Sequence, residues 1–193
     1  MAKLLDTQTY DLSTRMLRSS RDPKDPYGEV VTPIYQTTAF AFESCNHAAE
    51  LFSLTRSGHM YGSTSNPTNE TLERRLCELE GGNDAVSTAR GKAALMLAIL
   101  SLVSAGDNIV SSRNLYGGTF AVFVATLPQM GIEVRFVEDD TPDAFLASAD
   151  KQTRMFYGES LSNPMLQPFP IADVARAGAT VGIPLVTDNT LTA

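Results

Sequence analysis

Residues 108–137 read NIVSSRNLYGGTFAVFVATLPQMGIEVRFV, and the alternation within that stretch decides the fold. Asn108-Ile109-Val110-Ser111 is a short run of strand type, Thr119 to Met130 is helical, and Ile132 to Val137 is a second strand. Two strands joined through a helix form a parallel pair, because an antiparallel pair needs only a short turn. Working outward, the alternation continues. Ala85-Val86-Ser87-Thr88 reads as a strand before an apolar helix from Lys92 to Ser104. On the other side come a helix at Pro142 to Ser148, a strand at Arg154 to Tyr157, a helix at Ile171 to Ala177 and a strand at Pro184 to Thr187. Such an order predicts an α/β fold, a mainly parallel sheet with helices on both faces.

The chain before this region is organised differently. Thr68 to Glu80 places Leu72, Leu76 and Leu79 on one helical face, and Gly81-Gly82 stops it. Residues 1–60 close no core of their own and read as an N-terminal arm making subunit contacts, with residues 61–193 forming the domain proper. Within the arm, Arg21 to Gly28 is a turn cluster, Val30 to Tyr35 is extended, and Asn46 to Leu54 is a short helix capped by Asn46.

Composition narrows the function classes. The 193 residues are 43% hydrophobic and carry 22 acidic against 15 basic side chains, a formal charge of −7. An acidic balance argues against a nucleic-acid partner, which requires a surplus of Lys and Arg facing phosphate. Cys45 and Cys77 form no disulfide framework, and His47 and His59 complete no metal-ligand spacing. No segment resembles a signal peptide or has the length and apolarity of a membrane span, so a cytoplasmic setting is expected.

Ligands of a parallel α/β sheet bind beyond the carboxyl ends of its strands. The residues there are Arg90-Gly91, Asn114 to Gly118, Glu159 to Asn163, and Asp188-Asn189-Thr190. Each has a plain structural reading: Gly91 as a tight turn, Tyr116 as a half-buried core aromatic, Asn163-Pro164 as a turn, and Asp188 as a cap. Together they suit an anion joined to a ring. A helix N-terminus offers amides to phosphate, Tyr116 offers a stacking face, and a carboxylate pairs with a cationic ring nitrogen.

These segments, with Tyr61 and Ser65-Asn66-Pro67-Thr68, resemble the pyridoxal-phosphate-dependent enzymes of Cys/Met metabolism. The resemblance runs from about residue 12 to the end of the sequence. Pro33 to Thr38 and His47 to Phe52 are most similar to the O-acetylhomoserine sulfhydrylase branch, whereas methionine γ-lyases usually carry cysteine where Gly118 stands. The resemblance implies a type I aminotransferase-like domain, incomplete at its C-terminus, and pyridoxal 5'-phosphate as cofactor. It implies that Asp188 holds the ring nitrogen, Tyr116 stacks and acts as acid or base, and Asn163 bonds the ring's phenolic oxygen. Thr190 joins the cofactor-binding set with Asp188. The amides of Gly91 and Lys92 would take the phosphate, and Tyr61 would reach the phosphate of a neighbouring subunit in a dimer or tetramer.

Two departures concern charge. The family commonly has a phosphate-gripping arginine where this chain has Ser63, and Arg90 and Lys92 are unusual at their positions. Arg90 or Lys92 supplying the lost charge and both simply facing solvent are evenly matched readings. A third departure concerns the lysine that links to the cofactor, which in the family follows the Asp188 motif, as does the C-terminal domain. None of Lys3, Lys24, Lys92 and Lys151 stands in that context. The expectation is half of an enzyme catalysing γ-replacement on an O-acylhomoserine to give homocysteine or methionine. A second polypeptide would supply the lysine and the C-terminal domain, and this chain alone would be inactive. A γ- or β-lyase of a sulfur amino acid, and a non-catalytic partner subunit, are the alternatives.

Overall fold

The computed structural model describes residues 10–18 and 27–192. It resolves into two units, one through Ser87 and one from Thr88 onward. Residues 21–26 of the expected turn cluster, and Lys3 and Lys24, lie outside the described residues.

The first unit holds three helices: α1 (Leu12–Arg18), α2 (Cys45–Phe52) and α3 (Pro67–Glu80). α2 starts one residue earlier than expected because Ser44, not Asn46, is its cap, its side chain accepting from the His47 amide. Leu54, placed in that helix from the sequence, instead turns out of it with a left-handed φ of 57°. α3 behaves as the spacing implies. Asn66 caps it by accepting from the Thr68 amide at 2.9 Å, Pro67 opens it, and Gly81 ends it with φ 67°. The same Asn66 donates to the Tyr35 carbonyl at 2.9 Å while the Tyr35 amide donates to Thr68 Oγ1 at 2.9 Å. That exchange ties the extended segment to the head of α3.

One expected strand does not form. Ala85 to Thr88 is irregular, and Val86 is exposed. The reason is local: the amide and hydroxyl of Ser87 both donate to Glu73 Oε1 at 2.7 Å. A strand donates such an amide to a neighbouring strand; here a carboxylate takes it.

The second unit contains the sheet. In chain order it runs α4 (Gly91–Leu102), β1 (Asn108–Ser112), α5 (Gly117–Ala121), a π-helical turn at Val122–Thr126, α6 (Leu127–Gln129) and β2 (Glu133–Val137). α7 (Pro142–Ser148), β3 (Thr153–Glu159), α8 (Ile171–Val181) and β4 (Leu185–Asp188) complete it. All pairings are parallel, in the order β2-β1-β3-β4. The expected helix from Thr119 to Met130 is therefore interrupted. At its wide turn the Leu127 amide reaches back to the Val122 carbonyl, and Pro128, which has no amide to donate, follows at once.

Strand alternation sorts the side chains onto two faces. Ile109, Met155 and Tyr157 pack with Ile99, Val103, Phe123 and Leu127, and Val186 lies against them. On the other face, Val110 and Phe156 pack with Phe145, Phe169, Val174 and Ile183, and Leu185 lies against them. Gly158 also belongs to this second face, where a β-carbon would stand 2.6 Å from the Phe169 ring. Helices α4 to α6 thus cover one side, and α7 and α8 the other.

Candidate active site

The alternation that builds the first core face also aims its last residues at the site. β3 and β4 run in register with Tyr157 opposite Val186 and Glu159 opposite Asp188. Residues paired across parallel strands share a face, so Glu159 and Asp188 stand side by side at the carboxyl end of the sheet, directly beyond Tyr157.

Three loops complete the floor and walls. After β1, the chain turns at Asn114, whose amide donates to Ser112 Oγ at 3.1 Å, and brings Tyr116 over the sheet edge. The Tyr116 amide donates to Glu159 Oε1 at 2.8 Å, which pins the backbone of a residue that stays 51% exposed. After β3, buried Ser162 holds the loop closed: its amide donates to the Gln167 carbonyl at 3.0 Å and its hydroxyl accepts from the Gln167 amide at 3.0 Å. Asn163 follows this pin. After β4, Thr190 turns back on Asp188, with its amide at 3.0 Å and its hydroxyl at 2.5 Å from Oδ1. Tyr116, Glu159, Leu161, Asn163, Asp188, Thr190 and Leu191 line one cavity of about 160 Å³.

The electrostatics follow from the crowding. Burial raises the pKa of Glu159, and neighbouring Asp188 pushes it in the same direction, against the lowering effect of the backbone amides of Tyr116 and Asn163. Burial likewise raises the pKa of Tyr157, with the charges of Asp188 and Glu159 adding to it. Among the described residues, no cluster of His, Cys, Asp or Glu suits a metal ion.

The remaining expected site residues lie as follows. Arg90 precedes α4, whose first turn has no side-chain cap, and Gly91 and Lys92 open the helix. A β-carbon at Gly91 would meet nothing within 4 Å. Lys92 folds over Gly118: its Cε and Nζ lie 2.9 and 3.0 Å from where a β-carbon on that glycine would stand, and Tyr116 Cε1 lies at 2.5 Å. Lys151 sits at the other end of the sheet, in the turn before β3. Tyr61 belongs to the first unit, 50% exposed and paired through its backbone with Ala39.

A carboxylate at the strand ends, a side-chain amide, an exposed phenol ring and an uncapped helix start form a donor set that fits a phosphorylated pyridine. A comparison of the sequence with protein families matches residues 13–193 to the Cys/Met metabolism PLP-dependent enzymes. The chain belongs to this family. Its cofactor is pyridoxal 5'-phosphate. The O-acetyl-L-homoserine sulfhydrylase of Leptospira meyeri is 43% identical over 178 residues, 92% of this chain and 40% of the relative. That of Thermus thermophilus, O-acetyl-L-homoserine sulfhydrylase 1, is 45% identical over 178 residues, 92% of this chain and 42% of the relative. A solved structure from Campylobacter jejuni, assigned as an O-acetylhomoserine (thiol)-lyase and carrying a pyridoxyl-lysine phosphate, superposes with a TM-score of 0.88 at 35% identity. It covers 94% of this chain and 44% of that one. The chain thus spans about two fifths of the length of the relatives it matches.

Two features of the site escaped the sequence reading. Glu159 was visible as a motif residue, yet its bond to the Tyr116 amide depends on a loop 43 positions away. In the sequence Tyr157 shows only as the end of a strand. Its spacing of two from Glu159 was the available signal, since period two places both on one face.

Proposed function

We propose that this chain forms the ring-holding part of a sulfhydrylase that performs γ-replacement on an O-acylhomoserine with a sulfur nucleophile, giving homocysteine or methionine. The observation that carries it is the pairing of Asp188 with Glu159 beneath Tyr116, in one cavity with Asn163. The sulfhydrylase relatives support the choice of reaction. Pyridoxal phosphate, when bound, supplies an electron sink for carbanions at the substrate's α and β carbons.

The chain's own residues prepare that sink. Asp188, oriented by Thr190, holds the ring nitrogen in its protonated form. Tyr116 covers one ring face, and its hydroxyl moves a proton at the leaving oxygen of the ester. Asn163 donates to the ring's phenolic oxygen. The first amides of α4, at Gly91 and Lys92, bind the phosphate, with Tyr61 contributing from a neighbouring subunit. Of the two unusual basic residues, Lys92 better fits the role of the charge missing at Ser63, because its ammonium is folded over Gly118 beside Tyr116.

The test is a pyridoxal-phosphate titration of the purified protein, followed by absorbance, for the parent and for Asp188→Asn, Lys92→Gln and Arg90→Ala. Asp188→Asn weakens binding at least tenfold, the scale of a lost charge-assisted bond. Lys92→Gln weakens it more than Arg90→Ala. A parent protein that binds no cofactor, or an Asp188→Asn variant that binds it equally well, overturns the reading.

A further inference from the structure

Tyr157 is 1% exposed, and its hydroxyl, although Thr119 and Asp188 stand close to it, meets no partner with full hydrogen-bond geometry among the described residues. A buried phenol is normally partnered, since an unmade bond leaves the desolvation of that group uncompensated. The ring itself is well placed: Phe123 packs edge-on against it with centroids 5.0 Å apart. Shape alone would be met by phenylalanine, so the hydroxyl calls for a separate explanation.

Its surroundings supply one. The register puts Tyr157 one residue pair below Glu159 and Asp188 on the same face of the sheet. Thr119 from α5 and Asp188 from β4 stand beside the hydroxyl, and the charge of Glu159 from β3 also acts on it. Thr119 is itself buried. Burial and the two carboxylates keep the phenol protonated, hence a donor. Thr190 already approaches Asp188 Oδ1 from the solvent side of the site with two bonds. Asp188 follows Val186, the register partner of Tyr157, two positions further along the same face.

We propose that Tyr157 is a positioning residue for Asp188, its hydroxyl donating to the carboxylate from beneath when the cofactor's ring nitrogen engages it from above. Thr190 and Tyr157 then grip one anion from opposite sides. Two side-chain donors would hold the carboxylate in one orientation for the ring nitrogen. Two consequences follow for a group that acts through another. Loss of the hydroxyl leaves the fold intact, and the change is read in the cofactor.

The inference rests on the reading of Asp188 above, and the experiment separates the two. Tyr157→Phe is compared with the parent protein and with Asp188→Asn. The readouts are thermal midpoint without cofactor, pyridoxal-phosphate affinity, and the absorption maximum of the bound cofactor. In Tyr157→Phe the midpoint holds or rises, because an unsatisfied buried hydroxyl has been removed. Affinity falls about tenfold, as expected for a hydrogen bond to a charged group, and the absorption maximum moves. Unchanged affinity and an unchanged maximum in Tyr157→Phe, with a parent that binds and an Asp188→Asn variant that does not, overturn the positioning role alone. A lower midpoint with unchanged cofactor properties assigns the hydroxyl to the fold and also overturns it. A parent that fails to bind overturns the earlier reading instead.

Discussion

At the scale of single residues, Glu159 carries the plainest pH signature. Its folded pKa is raised, chiefly by burial and then by Asp188. A carboxyl raised above its unfolded value near ~4.3 holds its proton more tightly when folded. Its contribution to stability is therefore favourable in acid and declines as pH rises through the folded pKa. Glu159→Gln keeps an acceptor for the Tyr116 amide and removes the charge next to Asp188. The variant melts higher than the parent at neutral pH, and the gap closes as pH falls toward the unfolded value. Thermal melts across that range check both the sign and the window. A constant gap at all pH values would locate the effect in packing. Gly118 illustrates a different constraint, since Lys92 and the Tyr116 ring already occupy the space a side chain would need.

At the scale of elements, the far end of the sheet is held by a polar clasp. Asp150, just ahead of β3, accepts from Asn108 of β1 at 2.8 Å and from the Gln152 amide at 2.9 Å, and pairs with Arg135 of β2 at 2.7 Å. These contacts, that with Asn108 foremost, lower its pKa to about 2. A depressed carboxylate adds stability above its unfolded pKa, and that contribution is lost as pH falls from about 4 toward 2. Asp150→Asn therefore melts below the parent at neutral pH and converges with it across that acid window. Denaturation curves at several pH values test this, and a gap that persists below pH 2 would refute it.

The same scale explains what could be foreseen. β1 to β4 and α7 were legible because their apolar runs and proline or polar boundaries are local signals. Which face each residue takes was not, because the central strands β1 and β3 are buried on both faces and show no alternation of apolar and polar residues. Val110 and Ile109 look alike in sequence but enter different cores. Ala85 to Thr88 has strand composition, and only the distant Glu73 decides that its backbone goes elsewhere. The wide turn in the middle of the α5–α6 stretch left no mark except Pro128. In the site, Tyr116, Asn163 and Asp188 stood out through motifs, whereas the relation of Tyr157 to Asp188 needed the register of two strands.

For the whole molecule, the question is where the linking amine comes from. Of the described lysines, Lys151 is at the wrong end of the sheet, and Lys92 belongs to the phosphate end of the proposed site. Borohydride reduction of the cofactor-loaded assembly, followed by peptide mapping, is expected to label a lysine other than Lys92 and Lys151. A label on Lys92 would overturn its role as a phosphate contact.

The wall shared by core and cavity has a further consequence. Phe123, Tyr157 and Asp188 follow one another from the packed interior to the cavity, so under the role proposed for Asp188 an apparently silent repacking inside would be read from outside as a change of colour. Bound cofactor becomes a reporter of the interior. Conservative changes at Phe123 or Thr119, neither of which lines the cavity, would be worth screening by eye in a row of tubes before any melting curve is run.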